Sequence, residues 1–208
     1  MTPFYDELKR HQITEEWDYK PALAEFHRWK DLFGDEFKLQ VSEIAIAVDR
    51  LSFWRLGQFR YGHNGFGLRG EITISRRHVL ANLRSEQWWK VLGTLLHELL
   101  HAWQQEHGKP GKGNYHNIEF RGKALRLGLI VDTRGRTQYA PKSLFLDLLE
   151  RHGVQVPALE MPVRPENRLA LGSKLRLWKC GCNFSVRVAV SKFRAQCLNC
   201  GQLFELQV

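Results

Sequence analysis

Two histidines and one glutamate lie close together in the segment Thr94–Gln105, where they could form a metal site. The segment reads Thr-Leu-Leu-His97-Glu98-Leu-Leu-His101-Ala-Trp-Gln-Gln. Because side chains three and four residues apart share a face of an α-helix, His97 and His101 are spaced to hold one metal ion. Glu98 is placed to accept a proton from a water molecule that the metal activates. The spacing therefore predicts a hydrolytic metal site.

The residues around this motif predict a helix that is buried on nearly every side. One polar stripe at helical spacing consists of Thr94, His97, Glu98, His101, Gln104 and Gln105. Leucines, Ala102 and Trp103 cover the other faces. Burying polar groups costs free energy unless they are paired or bind metal. A metal site is therefore the interpretation we prefer over histidines that are merely hydrogen-bonded in the core.

The composition limits the class of protein. The 208 residues are 43% hydrophobic and carry a net charge of +9. No apolar run is long enough to span a bilayer, and the N-terminal residues MTPFYDELKRHQ lack the apolar centre of a signal peptide. We therefore expect a cytoplasmic protein with no membrane partner. The basic charge favours a polyanionic partner, nucleic acid first, over a merely solvated surface.

The hydrophobic patterns predict an α+β fold. Helices are expected over 3–12, from Pro21 to Gly34, over 76–83, from a Ser85 cap to His107, from about His116 and over 143–151. Strands are expected over 37–48, 53–61 and 68–75, with a turn at Asn64-Gly65 between the last two. These strands predict a small, largely antiparallel sheet. The strand Glu71–Ser75 is either an exposed edge that holds an extended peptide or an ordinary inner strand.

A catalytic zinc site usually has three protein ligands, and His107 and His116 compete for the third position. On a continuing helix, His107 would lie roughly 9 Å beyond His101 along the axis, which is too far to share the ion. His116 opens the next predicted helix, after a glycine-rich loop that allows the chain to reverse. The spacing therefore favours His116.

The sequence His97-Glu-Leu-Leu-His-Ala-Trp-Gln104, followed by His116-Asn-Ile-Glu-Phe120, resembles the SprT-like (Spartan-type) zinc metalloproteases. The resemblance covers roughly residues 10–150 and implies a zincin-like core. It implies that His97, His101 and His116 bind the catalytic zinc and that Glu98 is the general base. Asn117 departs from the family pattern, where glycine is common. Glu119 is expected to have a structural role, with metal ligation as the alternative.

Four cysteines near the C-terminus predict a second metal site. They form two close pairs, Cys180 with Cys182 and Cys197 with Cys200. In a reducing compartment this pattern indicates a structural zinc with four thiolate ligands rather than disulfides or free thiols. We therefore predict a protease domain over 1–155, a proline-containing linker over 156–172 and a zinc ribbon over 173–208. The SprT-like resemblance supports the ribbon, because bacterial members carry one at the C-terminus.

Basic and aromatic residues alternate in the ribbon segment and predict contact with single-stranded DNA. The candidate residues are Lys174, Arg176, Trp178, Lys179, Arg187, Lys192 and Arg194. Together these features predict a zinc endopeptidase that cleaves DNA-bound or DNA-crosslinked proteins, nucleoid-associated if the source is bacterial. The alternative is a nucleic-acid-binding or transcription-associated zinc protein with little or no protease activity.

Overall fold

The computed structural model describes residues 3–62, 68–83, 85–160 and 175–207. This part of the chain is α+β, as predicted, and the chain divides into two compact units, Met1–Pro162 and Val163–Val208. The helices are α1 (Pro3–Thr14), α2 (Lys20–Phe37), α3 (Arg76–Asn82), α4 (Trp88–His107), α5 (Ile118–Leu127) and α6 (Leu144–Arg151). The strands are β1 (Ile44–Asp49), β2 (Gly57–Tyr61), β3 (Gly70–Ser75), β4 (Leu129–Val131), β5 (Thr137–Tyr139), β6 (Arg176–Lys179), β7 (Ser185–Val188) and β8 (Glu205–Leu206).

Helix α4 lies in the core of the first unit, between α2 and the β1–β3 sheet. Its leucines are buried, and the ring of Trp88 at its start stacks on Phe26 of α2 with 5.6 Å between ring centroids. Each fully buried apolar side chain of this size stabilises the fold by roughly 1.5–3 kcal/mol. The helix that carries the predicted motif is therefore one of the most firmly held elements of the unit.

Helix α2 continues beyond Gly34, where the sequence predicted its end. It stops at Phe37, and Lys38 closes it in the left-handed conformation with φ 54°. Phe37 stacks on Phe33, one turn earlier, with 5.7 Å between ring centroids. This packing outweighs the cost of about 1 kcal/mol for a glycine inside a helix. The predicted strand over 37–48 is consequently wrong in its first half, and β1 begins only at Ile44.

The main sheet has the order β1-β3-β2. Strand β3 pairs with β1 in parallel and with β2 in antiparallel orientation, so the prediction of a largely antiparallel main sheet is wrong. Alternating hydrophobic residues give the same signal in both orientations, which explains the error. Strand β3 is the inner strand, and its edge is not available to a peptide. The two smaller sheets, β4-β5 and β7-β6-β8, are antiparallel.

The ends of the metal-site helices follow the sequence only in part. Helix α4 ends at His107 as predicted, with Gly108 as its C-cap, but it starts at Trp88 rather than after a Ser85 cap. The Ser85 hydroxyl instead accepts a hydrogen bond from the backbone of Gln87, at 3.2 Å. At α5, the Asn117 side chain caps the helix and accepts a hydrogen bond from the Phe120 backbone at 3.0 Å.

The second unit is small. Among the residues that the structure describes there, the buried apolar side chains are Trp178, Cys180 and Cys197. The predicted Asn64-Gly65 turn, Lys174 and most of the predicted linker (from 161 on) lie outside the described residues. Val156 and Leu159, at the start of that linker, pack against the core of the first unit. In the described ranges, no helix has the length and hydropathy needed to cross a membrane.

Candidate metal centres

Three histidine side chains converge at helix α4. His97 and His101 lie one turn apart on α4, and His116 lies just before the Asn117 cap of α5. Nε2 of His116 lies 3.0 Å from Nε2 of His97 and 3.1 Å from Nε2 of His101. The three side chains are positioned to hold one metal ion.

The hairpin formed by β4 and β5 orients two of these histidines. Nδ1 of His97 lies 3.0 Å from Oγ1 of Thr137, and the backbone carbonyl of Thr133 accepts a hydrogen bond from His116. Gly135 in the same turn has φ 82°, and a Cβ there would lie 2.6 Å from Cε1 of His116. Contacts of this kind fix the tautomer and orientation of a ligating ring. No pattern in the sequence indicates that this hairpin belongs to the site.

Burial keeps the histidines neutral, which is the form that binds metal. It lowers the pKa of His97 to about 3 and the pKa of His101 to about 2, and it also lowers the pKa of His116. The Phe120 ring forms an apolar surface beside all three imidazoles, with centroid distances of 5.1, 4.2 and 4.9 Å to His97, His101 and His116.

The arrangement of nitrogen atoms fits a cation. Oγ1 of Thr137 can donate to the Gly135 carbonyl at 3.5 Å, which leaves it placed to accept from Nδ1 of His97. In that tautomer Nε2 of His97 keeps a lone pair, which faces Nε2 of His116. The Thr133 carbonyl holds a proton on His116 in the same way. Two lone pairs 3.0 Å apart repel each other unless a positive charge lies between them. The structure therefore supports the predicted three-histidine ligand set.

Glu98 lies next to the ligands on α4 but outside the ligand group. It is buried against β2, where a Cβ on Gly57 would lie 2.8 Å from Oε1 of Glu98, so only glycine allows this approach. Burial raises the pKa of Glu98 to about 8. Two smaller effects lower this pKa: the backbone N–H of Phe59 donates to the carboxyl, and Arg55 contributes a nearby positive charge. Gly57 and Phe59 were not anticipated as parts of the site.

A network of side chains holds the loop between α4 and α5, which brings His116 to the site. Nε2 of Gln104 donates to Oδ1 of Asn117 at 2.9 Å and to Oε2 of Glu119 at 2.7 Å. The backbone N–H of Lys109 donates to the same Glu119 oxygen at 2.7 Å, and this bond lowers the pKa of Glu119. Glu119 therefore supports the loop, and the alternative that it ligates the metal finds no support.

Other candidates lie away from the ligand group. His107 contacts the backbone carbonyl of Gln40 and is not part of the cluster. The Tyr139 ring packs against Trp89 and Phe145, with centroid distances of 4.9 and 5.7 Å. These contacts give Tyr139 a packing role.

The four cysteines form a second group positioned to hold a metal ion. Sγ of Cys182 lies 3.2 Å from Sγ of Cys180 and 3.7 Å from Sγ of Cys197, and all four thiols are free. The Asn199 side chain, 3.5 Å away, is the main cause that lowers the pKa of Cys182 to about 6. Backbone N–H groups lower the pKa of Cys197. Such donors favour thiolates, the form that ligates metal, at Cys182 and Cys197, whereas burial raises the pKa of the Cys180 thiol to about 12.

The predicted DNA-binding residues of the second unit do not share one face. Trp178 is 8% exposed and its ring packs edge-on against Phe193, so the prediction that it stacks on a base is wrong. The β6–β7 register places Lys179 and Arg187 on the face of the sheet opposite Trp178. Arg176, Arg187, Lys192 and Arg194 are exposed. Among the aromatic side chains described in this unit, Phe184 is the most accessible to a base, at 61% exposed.

Neither a protein-family model nor a curated protein matches this chain.

Proposed function

We propose that this chain is a zinc-dependent endopeptidase of SprT-like type that acts on proteins bound or crosslinked to DNA. The observation that carries the proposal is the convergence of Nε2 of His97, His101 and His116 beside a buried Glu98. A purely structural metal site needs the histidines but has no use for a buried carboxylate beside them.

Zinc is the metal that both donor sets favour. Tetrahedral bonds of about 2.0–2.1 Å to nitrogen place ligand nitrogens about 3.3 Å apart, close to the observed 3.0 and 3.1 Å. Bonds of about 2.3 Å to sulfur place thiolates about 3.8 Å apart, close to the 3.7 Å between Cys182 and Cys197 and wider than the 3.2 Å between Cys180 and Cys182. Three histidines leave a fourth position open, as in catalytic sites, whereas four cysteines close the site, as in structural ones.

The catalytic work of the chain falls on Glu98. A bound zinc ion supplies Lewis acidity, which makes water more acidic and polarises a peptide carbonyl. Burial alone raises the pKa of Glu98 to about 8, and the positive charge of a metal ion held by the three histidines would lower it again, so that Glu98 is ionised. The carboxylate would then accept the proton of the attacking water and return it to the nitrogen of the leaving amine. The Phe59 N–H holds the carboxylate in place, and Thr137 and the Thr133 carbonyl keep the ligand rings in position.

The association with DNA is supported by charge. The chain carries +9 in total, and Arg176, Arg187, Lys192 and Arg194 of the second unit are exposed. Contacts from such side chains to phosphates provide affinity that does not depend on base sequence. A basic unit tethered to a protease would raise the effective concentration of the protease at nucleoprotein.

The test is cleavage of a basic DNA-binding protein by the zinc-loaded full chain, with and without single-stranded DNA. We expect Glu98→Gln to lower the cleavage rate about 10²- to 10⁴-fold, which is the usual effect of losing a general base. Metal content, measured by mass spectrometry, should not change. Glu106→Gln is the matched control, because Glu106 lies on the same helix but binds the Ser42 backbone.

Unchanged cleavage by Glu98→Gln would contradict the mechanism. If the chain cleaves nothing in either form and still binds DNA, the alternative function, a nucleic-acid-binding zinc protein, replaces the protease.

A further inference from the structure

The loop between β1 and β2, residues 50–56, presents large aromatic side chains to solvent. Trp54 is 88% exposed and Phe53 is 65% exposed, with 4.9 Å between their ring centroids in an edge-on arrangement. Leu56 in the same loop is also exposed. Apolar side chains in such a cluster mark an interaction site more often than scattered ones do.

Two arginines lie at the start of α3, and one of them, Arg77, contacts the Phe53 ring. The guanidinium of Arg77 lies over the Phe53 ring, 4.4 Å from its centroid, and donates to the Phe53 backbone carbonyl. The guanidinium of Arg76 lies 5.6 Å from the centroid of the Tyr19 ring. Arg55 follows Trp54 directly and donates to Gln58 at 3.2 Å. We call Phe53, Trp54, Arg55, Arg76 and Arg77 the arginine–aromatic surface.

The charge of this region is nearly all positive. The segment 50–84 contains Arg50, Arg55, Arg60, Arg69, Arg76, Arg77 and Arg84, and its single acidic residue is Glu71. Glu71 accepts a hydrogen bond from Thr73 on the sheet. Among the described residues, no carboxylate lies within ion-pair distance of the arginines of the surface. Arg55 also acts electrostatically on Glu98, whereas the charges of Arg76 and Arg77 are available to an anionic partner.

The combination of exposed rings and arginines decides the chemistry of that partner. A single nucleic-acid strand offers one flat base and one phosphate per nucleotide, which match rings for stacking and guanidinium groups for phosphate contacts. A duplex hides its base faces, and an acidic peptide has no flat groups at regular spacing. We infer that the arginine–aromatic surface binds single-stranded nucleic acid, as a site separate from the residues of the second unit.

This surface also lies next to the metal centre in the chain and in space. The loop leads directly into Gly57, which contacts Glu98. A nucleic-acid strand bound to this loop would therefore bring a protein that is attached to the nucleic acid close to Glu98. This consequence rests on the proposed protease function, whereas the binding itself does not.

The experiment measures binding of fluorescein-labelled oligo(dT) and oligo(U) to the zinc-loaded full chain by fluorescence anisotropy, over a series of salt concentrations. We expect Trp54→Ala to weaken binding about 10-fold, as removal of one stacking ring does. The double change Arg76→Ser with Arg77→Ser should reduce the slope of log affinity against log salt by about 0.7 for each phosphate that the variant no longer binds. A 5-iodouracil oligonucleotide should crosslink to the peptide that contains Phe53 and Trp54.

Two variants are matched controls: Arg126→Ser on the exposed side of α5, and Phe184→Ala in the second unit. Arg126→Ser should leave affinity unchanged, and Phe184→Ala should leave the crosslink at Phe53 and Trp54 unchanged. Because Trp54 is exposed, its removal should not change the melting temperature.

Affinity that is unchanged in Trp54→Ala, with crosslinks mapping only to the second unit, would overturn the inference. So would Trp54-dependent binding to anionic phosphatidylserine vesicles without any change in oligonucleotide affinity. The binding experiment does not depend on proteolysis. A chain that binds oligonucleotides through this surface but cleaves no protein would therefore contradict only the proposed protease function.

Discussion

At the scale of single residues, the hydrogen bonds that orient the histidine rings decide how well the metal site is preorganised. Thr137 is the clearest case, because its hydroxyl lies 3.0 Å from Nδ1 of His97. We expect Thr137→Val, which keeps the shape but removes the hydroxyl, to lower zinc affinity about 10- to 100-fold, as removal of a ligand's hydrogen-bond partner does. Competition with a chromogenic chelator measures this change.

Thr133→Val is the control for that prediction, because Thr133 contacts His116 through its backbone carbonyl, which the substitution keeps. Equal zinc affinities of the two valine variants would show that the Thr137 hydroxyl does not orient His97.

His27 provides a prediction about pH, away from the metal site. It is buried and contacts Gln12 at 2.9 Å, and burial is the main cause that lowers its pKa to about 4. Between pH 6.5 and 4 the unfolded chain binds a proton at His27 and the folded chain does not, so stability falls as the pH falls. The loss from this residue is about 2 kcal/mol between pH 7 and pH 5.

Urea unfolding at pH 7, 6 and 5 measures this loss as the difference between the wild-type chain and His27→Gln. The other histidines contribute equally to both proteins, so the variant should show the smaller decrease of unfolding free energy. Parallel decreases in the two proteins would mean that His27 titrates normally.

Single residues were also the scale at which the sequence was most informative. The spacing of His97, Glu98 and His101 places them on one helix face whatever the rest of the fold is, and Gln104 of the same polar stripe is buried with hydrogen-bond partners. The contacts of Thr137 and Gly57 arise only when the hairpin and β2 pack against α4. No local pattern reports such packing.

At the scale of elements, the start of α5 links helix stability to the metal site. The Asn117 side chain caps α5, accepts from Gln104 and donates to the Lys109 carbonyl at 2.8 Å. We expect Asn117→Ala to lower the unfolding free energy by about 1 kcal/mol, because the helix loses its cap. It should also weaken zinc binding, because His116 precedes the cap directly.

Ser143→Ala is the matched control, since Ser143 caps α6 and accepts from the Leu146 backbone at 3.4 Å. Both variants should lose stability in thermal unfolding, but only Asn117→Ala should lose zinc affinity. A decrease of affinity in Ser143→Ala as well would assign the effect to general destabilisation.

The errors in the predicted elements have a common physical cause. The parallel pairing of β1 with β3 depends on contacts between segments distant in the chain, as does the inner position of β3, which the sequence left undecided. Helix α2 continues through Gly34 because Phe37 packs on Phe33. Propensity and periodicity describe each segment alone, and packing overrides them where they are weak. Helices with strong periodicity, such as α4 and α6, were predicted closely.

At the scale of the whole molecule, the two units differ in what holds them together. The first unit buries a large apolar cluster that includes Phe26, Trp29 and Phe33 and extends along α4. In the described part of the second unit, Trp178 is the one large buried apolar side chain besides two of the cysteines. Units of this size cannot be stabilised by such a small core and usually need a metal or a disulfide.

The last prediction follows from this difference. A strong chelator should unfold the second unit while the first unit keeps its secondary structure. The reason is that metal binding by the four cysteines supplies the folding free energy of the second unit. Hydrogen exchange with mass spectrometry reports both units in one sample, through the amides of β6–β8 and those of β1–β3. The variant Cys200→Ser should show the same decrease of protection in β6–β8 without chelator. Its three histidines remain intact, so the amides of α4 should stay protected and one zinc ion per chain should remain. If the amides of β6–β8 stay protected in Cys200→Ser after the chelator is added, the four cysteines do not hold the second unit together through a metal.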